Sequence, residues 1–453
     1  MSLFKTGRKL NEKGNRKRAH AAPSKSKNKA AKLAERDNET IDSDEELEKE
    51  ARGHFGSSFQ HVDASLALET GQDKRIRLAK QYLRLHADEQ KLADNDNEPD
   101  LQQRVAQTLK ESFLSDTGRV HRPLADKYTG FLADQIVPLR FKRQRLSPTC
   151  ICLSADDATL YVGCKSGLIV RWELRARKRT AVHCTENRII RAITVSHDNR
   201  YLAVADGTEQ IQVHNGVTLV KLNSLPGHSA PVTGLVFRQD TLELYSASED
   251  GTVKVWSLDE MAYIHTLFGH QSHVSGIDAL SLERIVTSGG MDKSLRVWKV
   301  AEETQLIYDL LKEDFSAVKF VSNDLFLSGS IEGSVCLWSC RKKKPLRRIA
   351  VAHGQQDIGH PNWISAVAVL SNSDVVASGS CDGFVRIWKL TNNRRSIEPL
   401  MNIPVVGFVN AIEFTCDGRF LIVAVGQEHR LGRWWTLREA RNRVLLVPLS
   451  SEG

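Results

Sequence analysis

The chain has 453 residues, of which 41% are hydrophobic and 26% charged, and its formal net charge is +8. This length accommodates one domain of about 250–330 residues with extensions, and no apolar run reaches the roughly 18–20 residues that cross a bilayer. The start lacks the hydrophobic stretch of a signal peptide, so we expect neither secretion nor membrane insertion. The eight cysteines form no C-x-x-C pair, which favours buried, reduced thiols over any metal or redox site, and no cofactor is indicated.

Charge is distributed unevenly over the first fifty residues. Residues 1–36 carry twelve Lys and Arg against two Glu, whereas residues 37–50 carry eight acidic residues against one Lys. Both are too poor in apolar residues to offset the entropy of ordering, which predicts a disordered tail over 1–72, basic and then acidic. The basic part is typical of a nuclear-import or nucleic-acid-binding tail, the alternative being a solubilising terminus. Its candidate residues are Arg16, Lys17, Arg18, Lys25, Lys27 and Lys29.

A partly helical extension is predicted over residues 73–134. In 73–91 the apolar residues share one side of a helix and basic residues flank them. A second helix starts at Asn97 and repeats apolar residues every four positions up to Phe113. Helices this short are marginal alone, so we expect them to dock on the main domain or on a partner.

A repeat begins near residue 135. Short alternating segments end at Trp172, His214, Trp256, Trp298, Trp338, Trp388 and Trp434, in steps of 42, 42, 42, 40, 50 and 46 residues. A period of about 40–45 residues with a terminal Trp after an Asp-Gly turn resembles the WD40 family of β-propellers. The sequence therefore predicts an all-β fold, a seven-bladed WD40 β-propeller of four-stranded blades over residues 135–453.

Three repeats share further residues at fixed offsets from their Trp. A His lies 28 residues before it, a Ser ten before it and an Asp six before it. In the WD40 family such residues form a buried hydrogen-bonded set that locks the blade, a set that is stable only when every member is satisfied. The predicted sets are His228, Ser246, Asp250 and Trp256; His270, Ser288, Asp292 and Trp298; and His360, Ser378, Asp382 and Trp388. The other four blades depart from this pattern, so packing must hold them.

The Ser, His and Asp positions do not indicate a hydrolase. They recur three times at one spacing, as a structural repeat does and an active site does not. The sequence has no phosphate-binding Gly loop, metal-ligand spacing or isolated nucleophile–base pair. We therefore expect no catalytic residues and no small-molecule substrate.

Two segments compete to close the ring. Residues 443–449 can form an outer strand of the last blade after Trp434, and residues 135–141 can serve instead as an N-terminal closing strand. We expect one of them to have another role.

Three basic clusters are candidate RNA contacts. Two are predicted in loops that follow the third strand of a blade, and thus on one face or rim, and the third flanks Trp434 and Trp435. Arg and Lys beside exposed aromatic rings suit phosphate contacts and base stacking. The candidate residues are Arg175, Arg177, Lys178 and Arg179; Lys342, Lys343, Lys344, Arg347 and Arg348; and His429, Arg430 and Arg433.

Several segments resemble a narrower family. The last blade contains VGFVN at 406–410, VGQEHRLGRWW at 425–435 and EARN at 439–442. These segments, with TLFGHQ at 266–271 and RLAKQYL at 77–83, are similar to the U3 small nucleolar RNA-interacting WD-repeat proteins. The resemblance covers roughly residues 73–449, and the charged tail matches in character only.

The resemblance implies a non-catalytic, RNA-binding assembly subunit of the U3 box C/D ribonucleoprotein in the nucleolus. The implied partners are U3 RNA, box C/D core proteins including a kink-turn-binding protein, and small-subunit processome proteins, without a membrane. The implied process is precursor rRNA cleavage that releases 18S rRNA. The competing interpretation is a WD40 protein-interaction adaptor, such as a chromatin or ubiquitin-ligase substrate receptor, that holds a peptide at the channel mouth and needs no basic loops.

Overall fold

The computed structural model describes residues 122–132, 135–139, 146–176, 178–183, 188–309, 313–356, 359–391 and 394–451. The predicted tail (1–72) and both predicted helices of the extension lie outside these residues. No helix of the described part is long and apolar enough to cross a membrane.

The described chain forms seven antiparallel sheets. A 3-10 helix, Ala125–Lys127, precedes β1 (Tyr128–Phe131) and β2 (Val137–Leu139). Blade one has β3 (Pro148–Leu153), β4 (Thr159–Cys164), β5 (Leu168–Glu173) and β6 (Lys178–His183). Blade two has β7 (Ala192–Val195), β8 (Tyr201–Ala205), β9 (Ile211–Asn215) and β10 (Lys221–Leu225). Blade three has β11 (Val232–Phe237), β12 (Glu243–Ser248), β13 (Thr252–Ser257) and β14 (Ala262–Phe268).

The remaining blades follow in the same order. Blade four has β15 (Val274–Ala279), β16 (Arg284–Gly289), β17 (Ser294–Lys299) and β18 (Thr304–Asp309). Blade five has β19 (Phe315–Ser322), β20 (Leu325–Ser330), β21 (Val335–Ser339) and β22 (Lys342–Ile349). Blade six has β23 (Ala366–Val369), β24 (Val375–Gly379), β25 (Phe384–Thr391) and β26 (Ser396–Pro404). Blade seven has β27 (Phe408–Phe414), β28 (Phe420–Gly426) and β29 (Arg443–Ser451).

The inner strands form a closed ring. β3, β7, β11, β15, β19, β23 and β27 each contact the next, and β27 contacts β3. The second and third strands of a blade are buried on both faces because a neighbouring blade packs on each side, whereas an outer strand such as β18 is exposed at all but one of its positions. The seven-bladed propeller predicted from the repeat is confirmed.

Side-chain hydrogen bonds link one blade to the next at the start of the inner strands. Thr149 donates to the Ile190 carbonyl (2.5 Å), Thr233 to Val274 (2.6 Å), Ser275 to Phe315 (2.7 Å), Ser316 to Ile364 (2.5 Å), Ser365 to Val409, and Asn410 to Pro148 (2.8 Å). In blade two the equivalent residue is Arg191, which forms an ion pair with Glu249 of blade three. These six bonds and one ion pair run around the whole ring.

Both segments that competed to close the ring lie in blade seven. β29 pairs with β28 as the third strand, and β1 and β2 both pair with the outer side of β29. The expectation that one of them has another role was therefore wrong. The propeller also begins before residue 135, because β1 lies within the stretch predicted to be a helical extension.

Candidate nucleic-acid interface

Blade three contains the complete predicted set. The Nδ1 of His228 donates to Asp250 (2.9 Å), and its Nε2 accepts from Ser246 (2.7 Å). The indole N–H of Trp256 donates to the same Ser246 oxygen (2.8 Å), while Thr252 donates to Asp250 (2.6 Å). All the polar groups of this buried set have partners, so it stabilises the blade without a cost of unsatisfied burial.

Blade four corrects one predicted residue. The hydroxyl that meets His270 (2.7 Å) and Trp298 (2.8 Å) belongs to Thr287, whereas Ser288 bonds Ser275 (2.9 Å). The turn after β16 is one residue longer than that after β12, so the partner lies eleven residues before the Trp. Asp292 holds the other nitrogen of His270, as predicted (2.5 Å).

Blade six corrects another. His353 donates to Asp382 (3.0 Å) and accepts from Ser378 (2.8 Å), which also accepts from Trp388 (2.8 Å). His360, the predicted member, is exposed. The connection between β22 and β23 is long, so the fixed offset of 28 residues selected the wrong His.

The charge states of these sets follow from their partners. Burial raises the pKa of the Asp250 carboxyl, but hydrogen bonds from His228 and Thr252 outweigh it and hold that pKa below its usual range. Asp292 behaves alike through His270 and Ser294. Burial lowers the pKa of His270 despite Asp292. Because the three imidazoles are buried inside blades, the sets act as structural locks and offer no reactive group to a substrate.

The molecular surface at the channel entrance is formed by an insertion in blade seven. We call residues 427–442, between β28 and β29, the blade-seven insertion; the corresponding turn in blade three has three residues. The segment RLGRW was predicted to be a blade strand ending at Trp434, and this was wrong because it lies within the insertion. The Nζ of Lys165 in blade one donates to Glu428 (3.2 Å) and to the Gly432 carbonyl (2.8 Å).

Two predicted RNA contacts in the insertion point inward. The guanidinium of Arg430 donates to the Ser316 carbonyl of blade five (3.1 Å), and burial lowers its pKa. His429 is buried against Trp363 at the start of blade six, with ring centroids 5.4 Å apart. Burial, together with the positive charge of Arg430, lowers the pKa of His429 to about 3. These residues anchor the insertion across the ring, from blade seven to blades five and six.

The insertion presents a cationic and aromatic outer surface. Trp434 is 64% exposed and rests edge-on against Trp363 (6.5 Å between centroids). The Arg433 side chain is 60% exposed and lies 3.3 Å from Glu428. Arg438 and Arg441 are also exposed. A surface that presents an exposed indole and exposed guanidinium groups can stack on a base and contact phosphates at the same time.

Most described residues of the other two basic clusters lie on outer strands and not in loops, which corrects their predicted placement. Arg175 is in the turn before β6, Lys178 and Arg179 are on β6, and Arg177 lies outside the described residues. Arg179 lies over the Trp172 ring, 5.7 Å from its centroid.

The cluster of blade five we call the basic rim. Its side chains are all exposed on β22, the edge strand of its sheet. The residues of the basic rim are Lys342, Lys343, Lys344, Arg347 and Arg348. Blades one and five are three blades apart around the ring, about 150° in a sevenfold arrangement, so the two clusters do not form one patch.

Sequence inspection missed the residues that tie the insertion down. Lys165 belongs to no repeated motif, and the groups that Lys165 and Ser316 bond in the insertion lie more than 100 residues away in the chain. The hydroxyl residues of the inner ring were also missed, although Thr233, Ser275 and Ser316 follow one another at steps of 42 and 41 residues. That spacing was the signal in the sequence that could have identified these hydroxyl residues.

Comparison with known proteins places the chain among its relatives. The family described as "WD domain, G-beta repeat" matches residues 219–257, 261–299 and 354–389, the three blades with complete sets. The chain is 35% identical over 440 residues to the Arabidopsis thaliana "U3 snoRNP-associated protein-like EMB2271", covering 90% of this chain and 91% of that protein. It is 35% identical over 400 residues to the Homo sapiens "U3 small nucleolar RNA-interacting protein 2", covering 84% and 82%.

A solved structure agrees with both relatives. "Crystal structure of RRP9 WD40 repeats" matches with a TM-score of 0.69 at 38% identity, over 71% of this chain and 99% of that chain. The sequence identity, the coverage and the shared fold lead to one conclusion: the chain belongs to the family of U3 small nucleolar RNA-interacting, U3 snoRNP-associated WD-repeat proteins.

Proposed function

We propose that the protein is a non-catalytic RNA-binding and assembly subunit of the U3 box C/D small nucleolar ribonucleoprotein. Its role would be to support precursor rRNA processing and the release of 18S rRNA in the nucleolus. Partners would include U3 RNA, box C/D core proteins with a kink-turn-binding protein, and processome proteins. The names of the relatives support the U3 particle, and the residues of the propeller suggest where RNA binds.

The observation that carries the proposal is the blade-seven insertion. It carries an exposed Trp434 next to Arg433 in the chain, with Arg438 and Arg441 also exposed, and buried contacts fix its base to blades one, five and six. Fixing the loop before RNA arrives lowers the entropy lost on binding. Arg430 and His429, predicted as direct contacts, now enter the proposal as positioning residues.

The basic rim and the cluster of blade one remain proposed phosphate contacts. These two clusters lie three blades apart, so an RNA bound at the channel entrance would contact them with segments that run in different directions. Phosphate contacts add affinity that falls with salt and carry no sequence preference, whereas stacking on Trp434 is insensitive to salt.

The adaptor interpretation has less support. A peptide receptor of that kind would use the channel mouth, and the insertion extends across that mouth from blade seven to blade five. A structural role for the Ser–His–Asp sets also removes the reason to consider hydrolysis.

The experiment is RNA crosslinking in living cells, followed by purification of the protein and sequencing of the attached RNA. We expect U3 RNA to dominate, with crosslinked peptides from the insertion. Binding of a U3 RNA fragment to purified protein then compares Arg433→Ala with Arg419→Ala. Arg419 is a matched control because it lies in the same blade, is 78% exposed and also neighbours one carboxylate (Asp417, 3.5 Å).

We expect Arg433→Ala to weaken binding by about 3- to 10-fold, the loss of one charge-assisted phosphate contact, and to reduce the salt slope by about one. Arg419→Ala should leave both unchanged. Equal effects of the two substitutions would mean that the insertion is not the interface. No RNA above background in the cellular experiment would remove the proposed function itself.

A further inference from the structure

Trp434 of the blade-seven insertion is held in one place although most of it is exposed. The indole is 64% exposed, and its centroid lies 6.5 Å from that of Trp363 and 5.7 Å from that of His429. Both neighbours are themselves fixed, because His429 is buried and Ser380 of blade six donates to the Trp363 carbonyl (2.6 Å). A ring with fixed neighbours has little freedom left to lose when a base stacks on it.

Gly432 provides a third contact for this ring. A Cβ atom at Gly432 would overlap the Cε3 and Cζ3 atoms of Trp434, and the three atoms closest to it would all belong to that ring. Gly432 is not among the glycines with a positive φ, so its backbone conformation is open to other residues. The ring of Trp434 therefore occupies the space of a side chain, and that occupation is what requires glycine at this position.

The place of Gly432 is set from blade one. The Nζ of Lys165 donates to the Gly432 carbonyl (2.8 Å) and to Glu428 (3.2 Å), and its side chain is 2% exposed. Burial lowers the pKa of Lys165, while the hydrogen bond and the charge of Glu428 oppose this shift. Glu428 also lies 3.3 Å from the Nε of Arg433. One buried ammonium group thus sets the place of the indole through Gly432 and that of the guanidinium through Glu428.

We infer that Gly432 and Lys165 are positioning residues, which hold the indole and the neighbouring guanidinium as one site for a single unpaired nucleotide. The inference rests on the proposed function and names the class of ligand that the insertion selects. A base inside a duplex is covered on both faces by its neighbours, so only an unpaired or terminal base can stack on Trp434. The phosphate next to that base would then meet Arg433. Phosphate contacts alone carry no such preference, so the indole is what makes the site selective.

The first test compares Gly432→Ala with Leu431→Ala in the binding of a U3 RNA fragment to the full chain. The added methyl group displaces the indole, so Gly432→Ala should weaken binding by about 5- to 100-fold, the loss of one base stack. Leu431 is the preceding residue and is 63% exposed, so its truncation should change the affinity by less than about 2-fold. Equal effects of the two substitutions would overturn the inference.

A double-mutant cycle shows whether Gly432 acts through the ring. Gly432→Ala combined with Trp434→Ala should bind RNA as weakly as Trp434→Ala alone, because the ring that Gly432 positions is then absent. A further loss in the double variant would mean that the substitution damages the insertion as a whole, and that Gly432 does not act by positioning the indole.

The place of the ring can be measured without RNA. Incorporation of 5-fluorotryptophan gives one fluorine NMR signal for each of the eight Trp residues, and Trp434→Phe identifies the signal of Trp434. We expect Gly432→Ala and Lys165→Met to shift this signal. Lys293→Met should not shift it, because Lys293 lies in the corresponding turn of blade four and is 43% exposed. An unshifted Trp434 signal in Gly432→Ala would overturn the inference.

The class of RNA separates the inference from the proposed function. A U3 RNA fragment with unpaired nucleotides should bind about 5-fold or more tightly than a fully paired duplex of the same length, and Gly432→Ala should remove that preference. A protein that binds both RNAs equally well would retain RNA binding and lose the inference. A protein that binds no U3 RNA at all would lose the proposed function, and the inference with it.

Discussion

Blade three and blade seven stabilise the same kind of sheet by different means. Blade three buries a complete hydrogen-bonded set around Trp256 and has a three-residue turn between β12 and β13. Blade seven has no such set among its described residues, takes its outer edge from β1 and β2, and replaces the short turn with the sixteen-residue insertion.

The difference separates stability from recognition. A blade that contains its own polar set can connect its second and third strands by a short turn. A blade held by strands from elsewhere in the chain can carry a long insertion there. We therefore expect substitutions in blade three to alter folding, and those on the outer surface of blade seven to alter binding.

The largest effect should come from Trp256→Ala. This side chain is almost fully buried between blades two and three, so its removal leaves a cavity, and Ser246 loses one of its hydrogen bonds. We expect the free energy of unfolding to fall by about 3–5 kcal/mol. Urea denaturation checks this, and a loss below about 1 kcal/mol would show that the set does not hold the blade.

The second prediction compares two histidines of the connection between β22 and β23. His353→Ala removes the imidazole that joins Asp382 to Ser378, and should cost about 2–3 kcal/mol. His360→Ala, at an exposed site, should change stability by less than about 0.5 kcal/mol. Thermal unfolding of both variants decides the assignment, and the opposite order would restore the residue predicted from the sequence.

The third prediction concerns the pH dependence of stability, which has one sign for Glu413 in blade seven and the opposite sign for the hydrogen-bonded set of blade four. Burial raises the pKa of Glu413 in blade seven to about 7; Lys319 opposes this, while Asp157 and Asp278 add to it. Because this pKa lies above the unfolded value of about 4.3, stability is lost as pH rises from about 4.3 to 7. Glu413→Gln, which can still accept from the Leu153 N–H, should add about 1–2 kcal/mol at pH 8 and little at pH 4.

The blade-four set titrates the other way. Because the pKa of Asp292 is lowered in the folded protein, its contribution to stability is present above about pH 3.9 and is lost as the pH falls further. The pKa of His270 is also lowered, so stability is lost below about pH 6.5, where the unfolded chain takes up a proton first. Unfolding measured from pH 4 to 8 for Glu413→Gln, with the exposed Glu260→Gln as control, separates the two signs. A gain for Glu413→Gln that does not depend on pH would contradict this assignment.

The smallest effect on stability should come from Trp434→Ala. An indole that is 64% exposed contributes little to folding, so we expect a change below about 0.5 kcal/mol. Loss of stacking should nevertheless weaken binding of a U3 RNA fragment by about 5- to 100-fold. A variant that binds normally would remove base stacking from the proposed interface.

The repeat was predictable because blade packing imposes it on strands. Period and alternation identified seven blades and the whole set of blade three. The fixed offsets failed where loop length varies, as at Thr287 and His353, because a hydrogen-bond partner is selected by position in space and not by count along the chain. Strand registers, which pair Ile285 with Trp298, would have corrected the first.

The candidate site was harder to predict because its parts meet only after the ring has closed. Composition identified the cationic residues, and Arg433 is exposed to solvent, as a residue that binds RNA must be. Nothing local indicated that Arg430, in the same segment, reaches Ser316 across the channel. A charged side chain that satisfies a distant carbonyl cannot be distinguished by sequence from one that faces solvent.

The closure of blade seven bears on how the protein is made. Tyr128 of β1 pairs with Ser451 of β29, 323 residues later in the chain. β1 therefore has no strand to pair with until β29 has been synthesised. Blades one to six are built from consecutive strands and can fold in turn during synthesis, whereas the ring stays open until β29 has been added. The insertion connects β28 to β29, so the proposed RNA surface would form only after β29 has been synthesised. A chain truncated before β29 would lack that surface.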